Sequence, residues 1–344
     1  MLNENAPKNF TATRNQEAEN LLNQVLLEIK EALKNTKLCV LLGGSYGRGD
    51  GGVRIDKENG ILYNDLDFFV FAKASLPSDQ ILLKEIAKKY EEILKVDVDF
   101  SRIMTIKDIQ NNASRLMMQE LKRGYYLVCG EDLIAQYLVE IPNNLIPFSE
   151  ACRLLLNRGM GLLLAGEKIT NNSSDIDFIL RNIYKAILGT GDAMLIANNN
   201  YQWKIAEREK KIEQLVIKEE WKKLYQEAVL FKYSPSRIQK LDIVDLWNQV
   251  KDFYRFGMLY CAKANDENNL LKSLAVQCKK NNEVSIKNYL KYSIKSRSIP
   301  INDFYVYCLP AVASILPVLY NNLDTTPTAV KINRKLYKHW LIFN

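Results

Sequence analysis

Residues 38–71 read LCVLLGGSYGRGDGGVRIDKENGILYNDLDFFVF, and this stretch decides the fold of the first part of the chain. LCVLLGG (38–44) is a short apolar run ending in glycines, the pattern of a buried strand entering a turn. Residues 53–63 carry the turn signal DKENG (56–60) between two short apolar stretches, which predicts an inserted hairpin. DLDFFVFA (65–72) reads as the next strand. On the N-terminal side, Leu21, Leu22, Val25, Leu26, Ile29 and Leu33 form one stripe of an amphipathic helix over 17–35. On the C-terminal side, Ser78 is the expected cap of a helix running to Leu94, with Ile81, Leu82, Ile86, Tyr90 and Ile93 as its buried stripe. VDVDFSRI (96–103) alternates as a third strand, followed by a helix near 107–122 and a short strand YYLVC (125–129). The alternation predicts an α/β (α+β) domain with a mixed sheet over residues 1–148.

Beyond Pro147 the apolar period is helical throughout. Helices are expected over 149–166, 175–198, 202–230, 239–264, 268–279, 284–294 and 304–320, so residues 149–344 read as an all-α domain. The boundary falls near Ile141–Phe148, where two prolines and two asparagines cluster.

Composition narrows the chemistry. The chain has 344 residues, 47% apolar and 25% charged, an ordinary globular make-up with room for two cores. Six cysteines are widely scattered with no CxxC pair, and His339 is the sole histidine. A His/Cys zinc site and a Ser-His-Asp triad are therefore not expected. Reduced thiols and a polar N-terminus without an apolar leader point to a cytoplasmic protein. Phe304 to Leu323 carries no charge, but Pro310 and Pro317 interrupt it; a buried helix or helix pair is expected rather than a membrane span. Residues 201–344 hold 24 Lys+Arg against 14 Asp+Glu. That basic half could attract an anionic partner such as RNA, although its charges are dispersed as on solvated helix faces.

Three features converge on one chemistry. Gly43-Gly44-Ser45 closes the first strand, Asp65-Leu66-Asp67 opens the next, and Asp97-Val98-Asp99 lies on the strand after the helix. In a strand, residues i and i+2 share a face, so Asp65 and Asp67 present paired carboxylates. Such a pair repels unless a cation lies between its members. A third carboxylate from a neighbouring strand completes an oxygen site suited to Mg²⁺. Asp97 and Asp99 share a face; Asp99, deeper in its strand, is the preferred third ligand and Asp97 the alternative. Gly44 lets backbone N–H groups approach a triphosphate, and the Ser45 hydroxyl can donate to it.

GGSYGRG, NDLDFFVF and VDVDF in this order resemble the nucleotidyltransferase superfamily of the DNA polymerase beta type. The resemblance covers about a third of the chain, and the spacing from Ser45 to Asp65 is longer than in small members, by the inserted hairpin. It implies catalytic metal ligands at Asp65, Asp67 and Asp99, and nucleotide binding at Gly44 and Ser45. It also implies Mg²⁺ (or Mn²⁺) as the cofactor, and an NTP, expected to be ATP, as the donor of a nucleotide monophosphate. RNIYKAILGTGDAMLI (181–196) further resembles the helical domain of antibiotic nucleotidyltransferases, which would bring Lys185, or Arg181 or Lys204, to the phosphates. Arg48 is a further candidate for a phosphate.

The expected activity is transfer of an NMP to a hydroxyl of a small-molecule or protein acceptor, with no membrane partner. The alternatives are an RNA or tRNA nucleotidyltransferase and a catalytically silent nucleotide-binding module. Gly47, Gly49 and Gly52 also satisfy GxGxxG, but a hairpin rather than a helix is expected to follow, which argues against a dinucleotide fold. Asp175 and Asp177 repeat the Asp-x-Asp pattern at a helix start, where Asp175 reads as an N-cap.

Overall fold

A computed structural model describes residues 7–56, 59–235, 242–288, 290, 308–327 and 329–343. The chain divides into two compact units, Met1–Pro142 with Leu230–Ser236, and Asn143–Val229 with Arg237–Asn344.

The first unit is built on a four-stranded mixed sheet with the order β5-β4-β1-β6, formed by β1 (Cys39–Leu42), β4 (Leu66–Phe71), β5 (Val98–Phe100) and β6 (Tyr126–Cys129). β1 runs antiparallel to both β4 and β6, whereas β5 lies parallel to β4. A parallel neighbour requires a crossover, and α3 (Pro77–Leu94) supplies it. The expected hairpin is present as β2 (Val53–Asp56) paired with β3 (Asn59–Leu62), a separate two-stranded sheet; Lys57 and Glu58 lie outside the described residues.

Strand alternation sends side chains to two cores, one on each face of the main sheet. Val40, Leu42, Leu66, Phe68, Val70 and Val98 pack with α1 (Gln16–Ala32) and α3. Cys39, Leu41 and Phe71 pack on the opposite face with residues of α4 (Ile106–Asn111), α5 (Leu116–Arg123) and α6 (Leu133–Tyr137). With both faces covered, the strands carry the continuous apolar runs seen in the sequence.

Three helical expectations shift in register. Ser78 does not cap α3: Leu76 takes the cap position, its N–H donating to the Asp79 carboxylate at 2.8 Å, and Pro77 opens the helix. Proline presets the helical φ at a position where no N–H is needed, so the cap falls at Leu76, two residues before Ser78. The buried stripe accordingly runs Leu83, Ile86, Tyr90 and Leu94, while Ile81 and Ile93 face solvent. The helix expected near 107–122 is two, because Asn112 ends α4 and its side chain donates back to the Asp108 carbonyl at 2.8 Å.

The second unit contains no strand among the described residues. Its long helices α7 (Phe148–Thr170), α8 (Ile176–Ala197) and α11 (Ile243–Ala262) pack on one another, and α12 (Leu270–Lys280) joins them. Residues 202–230 form α9 (Ile205–Glu213) and α10 (Glu219–Tyr233) rather than one helix. The break holds the β-branched pair Val216-Ile217, and Val216 is fully solvent-exposed, so nothing there rewards a continuous helix. The uncharged stretch 304–323 is split in its described part into α13 (Ala311–Ser314), capped by Pro310, and α14 (Leu316–Asn322), with Pro317 in its first turn. Residues 304–307 and most of the helix expected over 284–294 lie outside the described residues. A last helix, α15, spans Arg334–Phe343. No helix among the described residues is long and apolar enough to cross a membrane, and all six cysteines are free.

The N-terminal segment is tied to this scaffold by one buried carboxylate. Glu19 on α1 accepts from the Phe10 N–H at 3.0 Å, the Thr11 N–H at 2.7 Å and the Thr11 hydroxyl at 2.6 Å. Phe10 in turn accepts from the Gly51 N–H at 3.1 Å, and Gly51 accepts from the Ala12 N–H at 3.0 Å. Buried donors left unmade cost roughly 1–3 kcal/mol each. Glu19→Ala is therefore expected to lower unfolding stability in urea by about 3 kcal/mol, with the m-value unchanged.

Candidate functional site

The end of β1 and the start of β4 meet at Gly43-Gly44. The Gly43 N–H donates to the Asp67 carbonyl at 2.8 Å, and Gly44 adopts the left-handed φ of 59°. A Cβ built on Gly44 would overlap the Asp67 carboxylate oxygen Oδ2. Glycine is thus required twice at one position, for its conformation and for its missing side chain. The expected turn is one turn of helix, α2 (Gly44–Gly47), which presents Ser45 half-exposed. The Ser45 hydroxyl makes no hydrogen bond among the described residues, whereas its carbonyl accepts from the Asp50 N–H at 2.8 Å.

Alternation places the carboxylates. Leu66 and Phe68 point into the core shared with α1 and α3, so Asp65 and Asp67 take the other face of the sheet. Val98 points into that same core, which sends Asp97 and Asp99 to the face of Asp67. In the parallel β4–β5 register Asp67 stands opposite Asp99. The Asp99 carboxyl is held above the usual carboxylate range, first by partial desolvation and then by the charges of Asp65, Asp97 and Glu91. Asp97 lies just outside β5, exposed, and its carbonyl accepts from the Leu66 N–H at 2.9 Å.

As donors these carboxylates are all oxygen, and Asp99 is open to water; that set suits a hard divalent cation such as Mg²⁺ or Mn²⁺. Among the described residues, no three carboxylate, thiol or imidazole groups stand close enough to form a metal cage by themselves. Mutual repulsion of like charges works against such convergence.

Tyr46 sets where β4 begins, and its partners are not visible in the sequence pattern. The ring is fully buried; its hydroxyl donates to the Gly52 carbonyl at 2.9 Å and accepts from the Tyr63 and Asn64 N–H groups at 3.0 and 3.3 Å. The Asn64 side chain accepts from the Gly52 N–H at 2.6 Å. Both ends of the inserted hairpin therefore close on one phenol. The hairpin between Ser45 and Asp65 is thus closed at its base, which fixes the start of β4. The later glycines are packing sites: a Cβ on Gly51 would overlap the Tyr46 ring, and one on Gly49 would lie 2.8 Å from the Asn9 carbonyl. A strand, not a helix, follows Gly52, as the hairpin reading required against a dinucleotide loop. A tyrosine inside a glycine-rich run was the available signal, since a buried phenol needs hydrogen-bond partners.

The basic candidates belong to both units. The Arg48 guanidinium lies 3.4 Å from the Glu120 carboxylate, largely covered. Lys185 and Arg181 belong to α8 in the second unit, both half-buried, and Lys204 is exposed at the start of α9. Asp175 caps α8, accepting from the Phe178 N–H at 3.2 Å and pairing with Lys168 at 2.9 Å, as its position predicted. The structure thus gathers Gly44, Ser45, Asp65, Asp67 and Asp99 at one end of the sheet, and Arg48 engages α5 instead.

Comparison with protein-family models, with curated proteins and with solved structures finds no match for this chain. The geometry of the site stands on its own residues. Tyr46→Phe removes one donor and one acceptor that serve three buried groups, and is expected to cost about 2–4 kcal/mol of stability. Amide exchange should quicken at Tyr63 and Asn64 while α1 keeps its protection; unchanged exchange there would show that the phenol does not hold the hairpin base.

Proposed function

We propose that this chain is a Mg²⁺-dependent nucleotidyltransferase that moves an NMP, expected to be AMP, from an NTP to the hydroxyl of a small-molecule or protein acceptor. The observation that carries this reading is the contact of Gly44 with the Asp67 carboxylate. It sets a side-chain-free turn with an unengaged serine hydroxyl against a strand of paired aspartates, with Asp99 in register on the adjacent strand.

In this reading the Gly44–Ser45 turn holds the polyphosphate, the Ser45 hydroxyl donating to a phosphate oxygen. Asp65, Asp67 and Asp99 are the residues that would hold the cation. When bound there, a divalent cation offsets the negative charge gathered on the phosphates and increases the acidity of a neighbouring hydroxyl. The acceptor oxygen forms a bond to the α-phosphorus, the bond from that phosphorus to the bridging oxygen breaks, and pyrophosphate leaves. The hydroxyl proton passes to solvent or to a carboxylate of the cluster. The Asp99 carboxyl is raised first by partial desolvation and then by the neighbouring carboxylates, and a cation would relieve the second of these.

Incubation with each α-labelled NTP, Mg²⁺ and a fractionated cell extract should label an acceptor. Asp65→Asn or Asp67→Asn is expected to abolish labelling while circular dichroism is unchanged. Asp99→Asn should cost far more activity than Asp97→Asn. Because protonation of Asp99 is favoured in the fold, Asp99→Asn should leave thermal stability equal or higher at neutral pH, and that gain should shrink as pH falls and the parent's own carboxyl protonates. Ser45→Ala removes one charge-assisted hydrogen bond worth about 1.5–3 kcal/mol, or roughly one to two powers of ten in nucleotide use. Full labelling by both Asp65→Asn and Asp67→Asn would overturn the mechanism.

A further inference from the structure

The glycine-rich stretch runs on to Asp50-Gly51-Gly52, where the first unit takes in a segment from far along the chain, Leu230–Ser236. Three contacts seat the described part of that segment. A Cβ on Gly52 would overlap the Lys232 carbonyl, so only glycine admits this approach. The Phe231 ring packs edge-on against Tyr63, centroids 5.9 Å apart, and the Tyr63 N–H is held by Tyr46. The Lys232 ammonium stands 3.9 Å from the Asp50 carboxylate, with its side chain only 12% exposed.

Removing an ammonium from water is costly unless an opposite charge faces it, so a covered Lys232 beside Asp50 differs from the solvated lysines of the helix surfaces. Asp50 is also a neighbour of the candidate nucleotide turn, since its N–H donates to the Ser45 carbonyl at 2.8 Å. The sequence links therefore run from Lys232 to Asp50 to Ser45, a path that does not pass through Lys185, Arg181 or Lys204.

We propose that Lys232, acting through Asp50, is a positioning residue for the Ser45 turn, and that it sets the affinity of that turn for the polyphosphate of a nucleoside triphosphate. This inference rests on the nucleotidyl-transfer reading. It assigns Lys232 no contact with the reacting atoms. Its charge holds Asp50, Asp50 holds the Ser45 carbonyl, and the turn keeps the orientation in which its hydroxyl faces outward. Asp50 and Lys232 should then behave as one unit, with effects that do not add.

Calorimetric titration of the full chain with Mg²⁺ and a non-hydrolysable α,β-methylene ATP analogue tests this. Lys232→Met keeps the length of the stem and leaves Phe231 in place, and is expected to weaken binding about ten-fold, the equivalent of one modest interaction. Lys232→Arg should stay within about two-fold of the parent, because the charge is kept. Asp50→Asn should weaken binding as Lys232→Met does, and the double variant should be no weaker than the weaker single variant. AMP, which lacks the polyphosphate, should bind all variants alike. If the parent binds the analogue and Lys232→Met binds it equally well with only a lowered Tm, Lys232 is a packing residue and the inference is overturned while the nucleotide reading stands. If the parent itself binds no analogue, the nucleotide reading fails and the inference falls with it.

Discussion

Gly44 and Asp67 cannot be moved independently. The Gly44 backbone lies in the left-handed region, and the space its side chain would fill is taken by the Asp67 carboxylate. Any other residue at 44 would carry both a conformational cost of about 1–2 kcal/mol and a steric one. The rest of the first unit can be read as support for this contact. β1 and β4 are paired in register so that Leu42 faces Phe68, which brings the end of one strand to the start of the other. α3 returns the chain so that β5 adds in parallel and Asp99 comes level with Asp67. Glu19 anchors residues 10–11, which in turn engage Gly51, and Tyr46 closes the inserted hairpin.

The two cores explain why the carboxylates are available at all. A sheet covered on both faces hides most side chains, yet the aspartates stand at the starts of β4 and β5, outside both core clusters. There Asp65, Asp67 and Asp99 stay partly or fully open to water. The Asp99 carboxyl is held above the usual carboxylate range, first by partial desolvation and then by the neighbouring charges of Asp65, Asp97 and Glu91. Carboxyl groups perturbed by burial and by specific charged neighbours are of the kind enriched at functional sites.

Much of this was legible beforehand, and the failures have local causes. The strands at 39–42, 66–71 and 98–100 and the hairpin between them follow from apolar runs and turn residues, because both signals are short-range. In α3, Pro77 rather than Ser78 sets the start, two residues earlier; Ile86 and Tyr90 are buried as the period predicts, while packing against the sheet selects Leu83 and Leu94 over Ile81 and Ile93. The divisions at Asn112, at Val216-Ile217 and at Pro317 were missed because a helical apolar period continues across each break. At the candidate site, the juxtaposition of Gly44, Asp65, Asp67 and Asp99 could be expected from their places at the strand ends. Tyr46, Asn64 and Lys232 could not, since their significance lies in partners 6 to 182 positions away that no local pattern encodes. The pairing of Arg48 with Glu120, on a helix 72 residues later, likewise lies beyond any local pattern.

The central claim is that this turn and these carboxylates cleave a triphosphate between its α- and β-phosphates. The most direct measurement compares two labelled forms of the same NTP in otherwise identical reactions, one labelled at the α-phosphate and one at the γ-phosphate. The account predicts that the acceptor gains label from the α-labelled nucleotide only, while the γ-label appears in pyrophosphate in equal amount. Acceptor labelled from the γ-phosphate, or release of γ-labelled inorganic phosphate with no pyrophosphate, would contradict it.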